Sequence, residues 1–194
     1  EWDSLDSAEV STAGDNLLAL AVSHRELWLF GEQTTHVWYN SGAANFPFQP
    51  MSGVQIEHGI LAPFSVVNID NGLIWLGQDR LGMGMVWRNN GYTPQRISTH
   101  AVEYWLKQRG RLNKAIAYAY QDEGHTFYVL YVPDAETTWV YDVSNGFWHE
   151  RATWNPDIDN WEPHLSRCHC YAFGTHLVGD RSSGQVYEMS LELY

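Results

Sequence analysis

Leu27-Trp28-Leu29-Phe30-Gly31, then Val37-Trp38-Tyr39 and Ser41-Gly42, is the stretch that decides the fold. An apolar run closes on glycine, a short polar turn follows, a Val-aromatic run comes next, and a second glycine turn ends the unit. The same order returns in Leu73-Ile74-Trp75-Leu76-Gly77, Val86-Trp87-Arg88 and Asn90-Gly91-Tyr92. It returns again in Thr126-Phe127-Tyr128-Val129-Leu130-Tyr131, Val140-Tyr141-Asp142 and Asn145-Gly146-Phe147-Trp148. A last copy is Thr175-His176-Leu177-Val178-Gly179-Asp180 with Val186-Tyr187-Glu188. The Val-aromatic pairs begin at Val37, Val86, Val140 and Val186, a period of roughly 50 residues, which suits a propeller blade of three or four short antiparallel strands.

Each repeat has a leading strand before its first apolar run: Leu17–Val22, Ser65–Ile69, Ala115–Tyr120 and Cys168–Phe173. Turn chemistry separates the two, at Ser23-His24-Arg25-Glu26, Asp70-Asn71-Gly72, Gln121-Asp122-Glu123-Gly124 and Gly174. Asn71-Gly72 is the strongest hairpin signal among them. Alternation puts Trp28 and Phe30 on one face of their strand and Leu27 and Leu29 on the other. Both faces are apolar, as a sheet stacked between sheets requires. The expected architecture is all-β and propeller-like, a single domain over 1–194 with repeats at about 16–50, 64–98, 114–152 and 166–190.

One helix, at about 99–109, interrupts this pattern. Thr99 is its N-cap, and Glu103 is placed to reciprocate. Ala101, Val102, Trp105 and Leu106 recur at helical spacing, with Trp105 as a packing residue. Lys107, Arg109 and Arg111 suit the C-terminal end of the dipole, and Gly110 is the stop. The segment Thr153–His164, polar and punctuated by Pro156 and Pro163, is expected to be a loop excursion and a candidate partner contact.

The composition narrows the function. With 194 residues, 44% hydrophobic and 18% charged, the chain can bury a core without staples. Ten Trp suit sheet faces, and their repeat-equivalent positions point to core packing. A net charge of −12 with eleven Lys and Arg argues against generic nucleic-acid binding by this segment. No apolar run approaches the ~20 residues of a membrane-spanning helix. The opening Glu1-Trp2-Asp3-Ser4 looks like mid-protein sequence, so a fragment of a longer chain is expected.

No catalytic, cofactor or metal site stands out. Ser182-Ser183-Gly184 is a turn, and Gly82-Met83-Gly84 has no helix after it to make a dinucleotide loop. Cys168 and Cys170 share a strand face and are read as free thiols, since a bridge between them would be strained. Cys168-His169-Cys170, flanked by His164, leaves a weak metal site open, although no second cysteine pair completes it. The other histidines, His24, His36, His58, His100, His125, His149 and His176, are scattered. Asp157 and Asp159 resemble part of a calcium loop, but Glu162 stands too close to be its last ligand.

The stretch Ser23–Gly42, with Ile56-Glu57-His58-Gly59, Ile74-Trp75-Leu76-Gly77 and Asn90-Gly91-Tyr92-Thr93-Pro94-Gln95-Arg96-Ile97-Ser98-Thr99, resembles the packaged-DNA stabilization proteins of short-tailed bacteriophages. The resemblance is firmest over about residues 16–105 and rests on structural motifs. It implies a β-propeller with inserted parts and a non-enzymatic virion component encoded by a phage or prophage. Such a tail hub and plug assembles in the host cytoplasm as a ring, generally a hexamer. It closes the portal channel, stabilizes packaged DNA, and meets the portal and adaptor and the tail needle or tailspikes. The family picks out no partner-binding residues here. Two other readings stay open at this point: a carbohydrate- or receptor-binding propeller with exposed Trp beside Asp, Asn or Arg, and a propeller-fold glycoside hydrolase with converging carboxylates.

Overall fold

Four two-residue turns set the register of the whole chain. In the computed structural model, which describes residues 7–10, 14–78, 82–108 and 110–190, each repeat opens with a hairpin whose two central residues both have positive φ. They are His24-Arg25 (52° and 67°), Asp70-Asn71 (44° and 62°), Glu123-Gly124 (47° and 82°) and Phe173-Gly174 (57° and 85°). This is the turn whose twist matches that of paired strands. The second hairpin corrects the sequence reading by one residue. Asp70-Asn71 makes the turn, and Gly72 pairs with Ile69 as the first strand residue. Gly72 is needed for space: a Cβ there would stand 2.6 Å from Asn89 Oδ1, the atom that accepts the Leu73 amide.

The strands follow from those turns. The first sheet is β1 (Leu17–Ser23), β2 (Glu26–Gly31), β3 (Thr35–Asn40) and β4 (Phe48–Ile56). The second is β5 (Val67–Ile69), β6 (Gly72–Gln78), β7 (Gly84–Asn90) and β8 (Thr93–Arg96). The third is β9 (Ile116–Asp122), β10 (His125–Val132), β11 (Thr137–Asp142), β12 (Phe147–Asn155) and β13 (Asn160–Pro163). The fourth is β14 (Ser166–Ala172), β15 (Thr175–Asp180) and β16 (Val186–Met189). Every sheet is an antiparallel meander in chain order. The fold is therefore all-β, built from four blade-like sheets with one short helix. The leading strands fall within two residues of their expected ends. The first and third sheets run past the expected repeat boundaries, to Ile56 and Pro163.

The chain divides into two compact units, 1–97 and 98–194. In the first, the Trp28 and Phe30 face of β2 packs on Leu73, Trp75 and Trp87 of the second sheet, with Val37, Ile56 and Ile60 closing the cluster. Phe30 and Trp75 are 5.3 Å apart. Burying such rings is worth several kcal/mol each, so this stack carries the unit. The other face of the first sheet is covered over Leu29 but open over β1, where Leu20 and Val22 are each 61% exposed. The expectation of two apolar faces holds in residue type, while one face is only partly packed. In the second unit Tyr118, Tyr120, Val129 and Val140 form a cluster with Phe127 and Met189, bringing β9 against β14.

Asp15 ties the chain entry to the first sheet. Its carboxylate accepts the amides of Glu32, Gln33 and Thr34 and the Thr34 hydroxyl, at 2.8–3.2 Å. Desolvation pushes the carboxyl pKa up, but these donors outweigh it and hold the pKa below its usual range. Its contribution is therefore present above the ordinary carboxylate pKa and lost as pH falls through the depressed one. Asp15→Ala is expected to cost about 1–2 kcal/mol, as loss of a helix cap does, read as a lower urea midpoint at neutral pH.

The helix α1 (His100–Gln108) lies in the second unit. Thr99 Oγ1 accepts the Val102 amide at a long 3.4 Å. Glu103 does not reciprocate to Thr99 as expected. It is buried and accepts the Ser98 hydroxyl at 2.6 Å, because Val102 and Leu106 roll that face of the helix inward. Trp105 sets its ring edge-to-face on Trp139 at 5.7 Å, a packing role as expected. Gly110, with φ +82°, stops the helix, while Arg109 lies outside the described residues.

Candidate interaction surfaces

The Thr153–His164 segment is a hairpin, where a loop was expected. Trp154 and Trp161 alternate onto one face and pair across the strands, so the second strand forms despite Pro163. Pro163 sits at the strand's end on the sheet edge, where a missing donor costs nothing. The two indoles meet edge-to-face at 5.3 Å. They stay 44% and 63% exposed, and Ile158 at the tip is also exposed. Cross-strand aromatics of this kind stabilise a hairpin modestly, yet here they leave a large apolar face in water. The Trp residues therefore divide: Trp28, Trp38, Trp75 and Trp87 are core, as expected, and the hairpin pair is surface.

Among the described residues the carboxylates around that pair do not make a cation cage. Asn155 Oδ1 accepts the Asp157 amide, and Glu162 takes Arg181 at 3.2 Å. Asp157 and Asp159 remain exposed at the tip. The result is an aromatic and acidic protrusion on the outer edge of the third sheet.

Cys168 and Cys170 are free, as read, and both are exposed on β14. His169 points to the opposite face, so the Cys-His-Cys run does not converge. Among the described residues no group of three or more His, Cys, Asp or Glu is placed to hold a metal. His169 pairs instead with His176 at 2.9 Å, and His164 with Ser166 at 2.6 Å. Buried Ser166 also bonds the Tyr118 hydroxyl, bridging β9 and β14. The sequence reading missed both polar groups. Their signal was the period-2 run Tyr118, Tyr120 and Asp122 on β9, matched by His169 and Tyr171 on β14.

The remaining histidines have structural partners or lie at the surface. His24 bridges Ser23 and Asn71, His36 meets Thr34, and His125 bonds Asp142 at 2.7 Å. His100 opens the helix, exposed. Burial lowers the pKa of His149, helped by Arg151. His58 stacks on Trp87 at 4.0 Å beside a polar cleft of about 810 Å³ in the first unit. Burial lowers its pKa, against the pull of Glu57. Glu32 and Glu57 line this cleft with Gln33, Gln55 and Gln78.

No curated protein matches the sequence. A family model described as bacteriophage P22 Gp10, beta-propeller, matches residues 1–194. The match covers all four repeats, including the last two, which the motif resemblance covered less firmly. A family of phage stabilisation proteins is structural and belongs to the virion, and its β-propeller description agrees with the four meander sheets. The chain belongs to the phage stabilisation family, the β-propeller family of bacteriophage P22 Gp10.

Proposed function

We propose that this chain is part of the tail hub and plug of a short-tailed phage, a non-enzymatic component that closes the portal channel over packaged DNA. The whole-chain family match is the observation that carries the reading. The full protein would assemble in the host cytoplasm as a ring of six and join the portal and adaptor to the tail needle or tailspikes. The net charge of −12 supports the role, because an acidic wall lets DNA pass without adhering. Within the second unit the Trp154–Trp161 hairpin is the contact we assign to a neighbouring tail protein. Exposed indole faces beside Asp157 and Asp159 favour a partner surface that presents Lys or Arg.

The reading is tested by the mass of the full-length protein in solution, alone and mixed with the portal–adaptor complex. A six-membered ring that co-migrates with that complex is expected; a monomer indifferent to it would overturn the hub and plug reading. The hairpin is tested by Trp154→Ala with Trp161→Ala against a panel of the tail proteins. Anchor residues of this type are worth about 2–4 kcal/mol each, so binding to one tail protein should weaken by at least about 30-fold with the fold intact. Unchanged binding to all of them would remove the hairpin from the interface and leave the ring to be explained by other surfaces.

A further inference from the structure

His169 on β14 and His176 on β15 lie on the face of the fourth sheet that meets β9. Nε2 of His169 is 2.9 Å from Nδ1 of His176, and the ring centroids are 5.1 Å apart. Nε2 of His176 faces Asp122 Oδ1, on β9, at 3.9 Å. Three side chains thus form one line, His169, His176 and Asp122.

Of the two facing nitrogens one carries the hydrogen and the other is bare, so the neutral pair shares a single proton between the rings. With His176 donating from Nδ1, its Nε2 is the nitrogen aimed at the carboxylate. One added proton fits without rearrangement. On His176 Nε2 it turns an approach of two acceptors into a charge-assisted contact with Asp122. A second proton has only His169 Nε2 to occupy. There it removes the bond between the rings and sets two cations side by side.

The surroundings make that second step costly. Tyr118 stacks on His169 at 5.9 Å, and Tyr120 lies 5.5 Å from His169 and 5.8 Å from His176. Tyr171 on β14 sets its edge to His176 at 4.9 Å, and Met189 on β16 lies opposite His176. Arg151 on β12 lies over the Tyr120 ring at 5.6 Å. Beyond it, His125 Nδ1 bonds the Asp142 carboxylate at 2.7 Å. Among the described residues Asp122 is the anion aimed at the pair. Burial first, and then the charge of His176, hold the His169 pKa below the ordinary histidine range, against the Ala119 carbonyl.

We propose that His169 and His176 form a one-proton latch between the fourth sheet and β9: a first proton, on His176, leaves the joint closed, and a second, on His169, opens it. This device is independent of the partner reading above. It makes the joint between two sheets of the second unit sensitive to mild acid, and the Tyr-lined slot between them becomes the place where water enters.

The test is imidazole ¹⁵N NMR on the whole chain across a descending pH series, with amide exchange on β9 and β14 followed in parallel. His176 should protonate before His169. Protection of the β14 amides should survive the first step and fall about tenfold or more at the second. In Asp122→Asn the two steps should draw together, and in His169→Gln the fall tied to the second step should vanish. If His169 takes the first proton, or if the same fall persists in His169→Gln, the latch is wrong. If neither variant folds, the order of protonation and its coincidence with β14 opening in the natural chain still decide it.

Discussion

Gly59→Ala is expected to lower stability by about 3 kcal/mol, the largest effect of any single methyl group added to the first unit. A Cβ at Gly59 would stand 2.4 Å from the carbonyl carbon and oxygen of Glu32 and 2.5 Å from the Gln33 amide nitrogen. These are backbone atoms and cannot rotate away. The same corner holds two further close approaches. The Gly59 carbonyl accepts the Trp75 indole at 3.3 Å and lies 2.6 Å from where a Cβ on Gly77 would be. The Ile60 amide donates to the Gly31 carbonyl at 2.9 Å. The first two sheets are joined here by backbone in contact with backbone. Overpacking alone costs about 1–3 kcal/mol, and a strained buried indole bond adds about 1 kcal/mol. For a chain of this size a loss of about 3 kcal/mol lowers Tm by roughly 6–12 °C. Gly184→Ala is the control, since its Cβ would meet nothing within 4 Å. A thermal scan by circular dichroism in which both variants match the natural chain would mean that this corner is not closed as described.

That corner also shows where the sequence was legible. Ile56-Glu57-His58-Gly59 marked the family resemblance as a motif, but only the structure supplies its reason, the approach of Glu32 to a residue without a side chain. The strands were readable because turn residues and period-2 alternation are local. His24-Arg25 and Phe173-Gly174 announce their hairpins through the apolar runs on either side. The Asn71-Gly72 signal pointed to the right hairpin and the wrong central pair, because Asn71 tolerates positive φ and Gly72 was required by Asn89 across the sheet. The Thr153–His164 hairpin was obscured by its composition: two prolines and several polar residues outweighed the Trp154–Trp161 pair, whose partnership depends on register. Glu103 was misplaced for a similar reason. Its spacing from Thr99 is local, but its burial against Ser98 is set by how the helix packs. The Tyr118–Ser166 link of the second unit joins residues 48 apart; period 2 marks the faces of their strands, but no local pattern could have paired the two residues.

The second large effect falls on that link. Between pH 6.5 and about 4 the chain should lose about 3 kcal/mol of stability through His164 alone. Burial first, and Arg151 second, push the pKa of His164 down to about 4. The hydrogen bonds specify the same state. Tyr118, whose own pKa burial raises to about 12, stays protonated and can donate to Ser166, which donates in turn to His164 Nδ1. The Ser166 amide also faces that nitrogen, at 3.3 Å. His164 Nδ1 is thus an acceptor twice over, and the incoming proton must land where donors already point. A histidine depressed in the folded state contributes fully above its ordinary pKa and loses that contribution as pH falls through the depressed one. A shift of roughly 2.5 units at 1.36 kcal/mol each sets the size. Depressed His58, His149 and His169 act in the same direction, so the measurement is a difference. His164→Asn keeps an acceptor for Ser166 and cannot take the proton. Urea midpoints for the two proteins should diverge as the buffer is acidified, with the variant falling less by about 3 kcal/mol in extrapolated stability. Parallel curves would show that His164 is already solvated, and that the Tyr118–Ser166 bridge holds β9 to β14 without it.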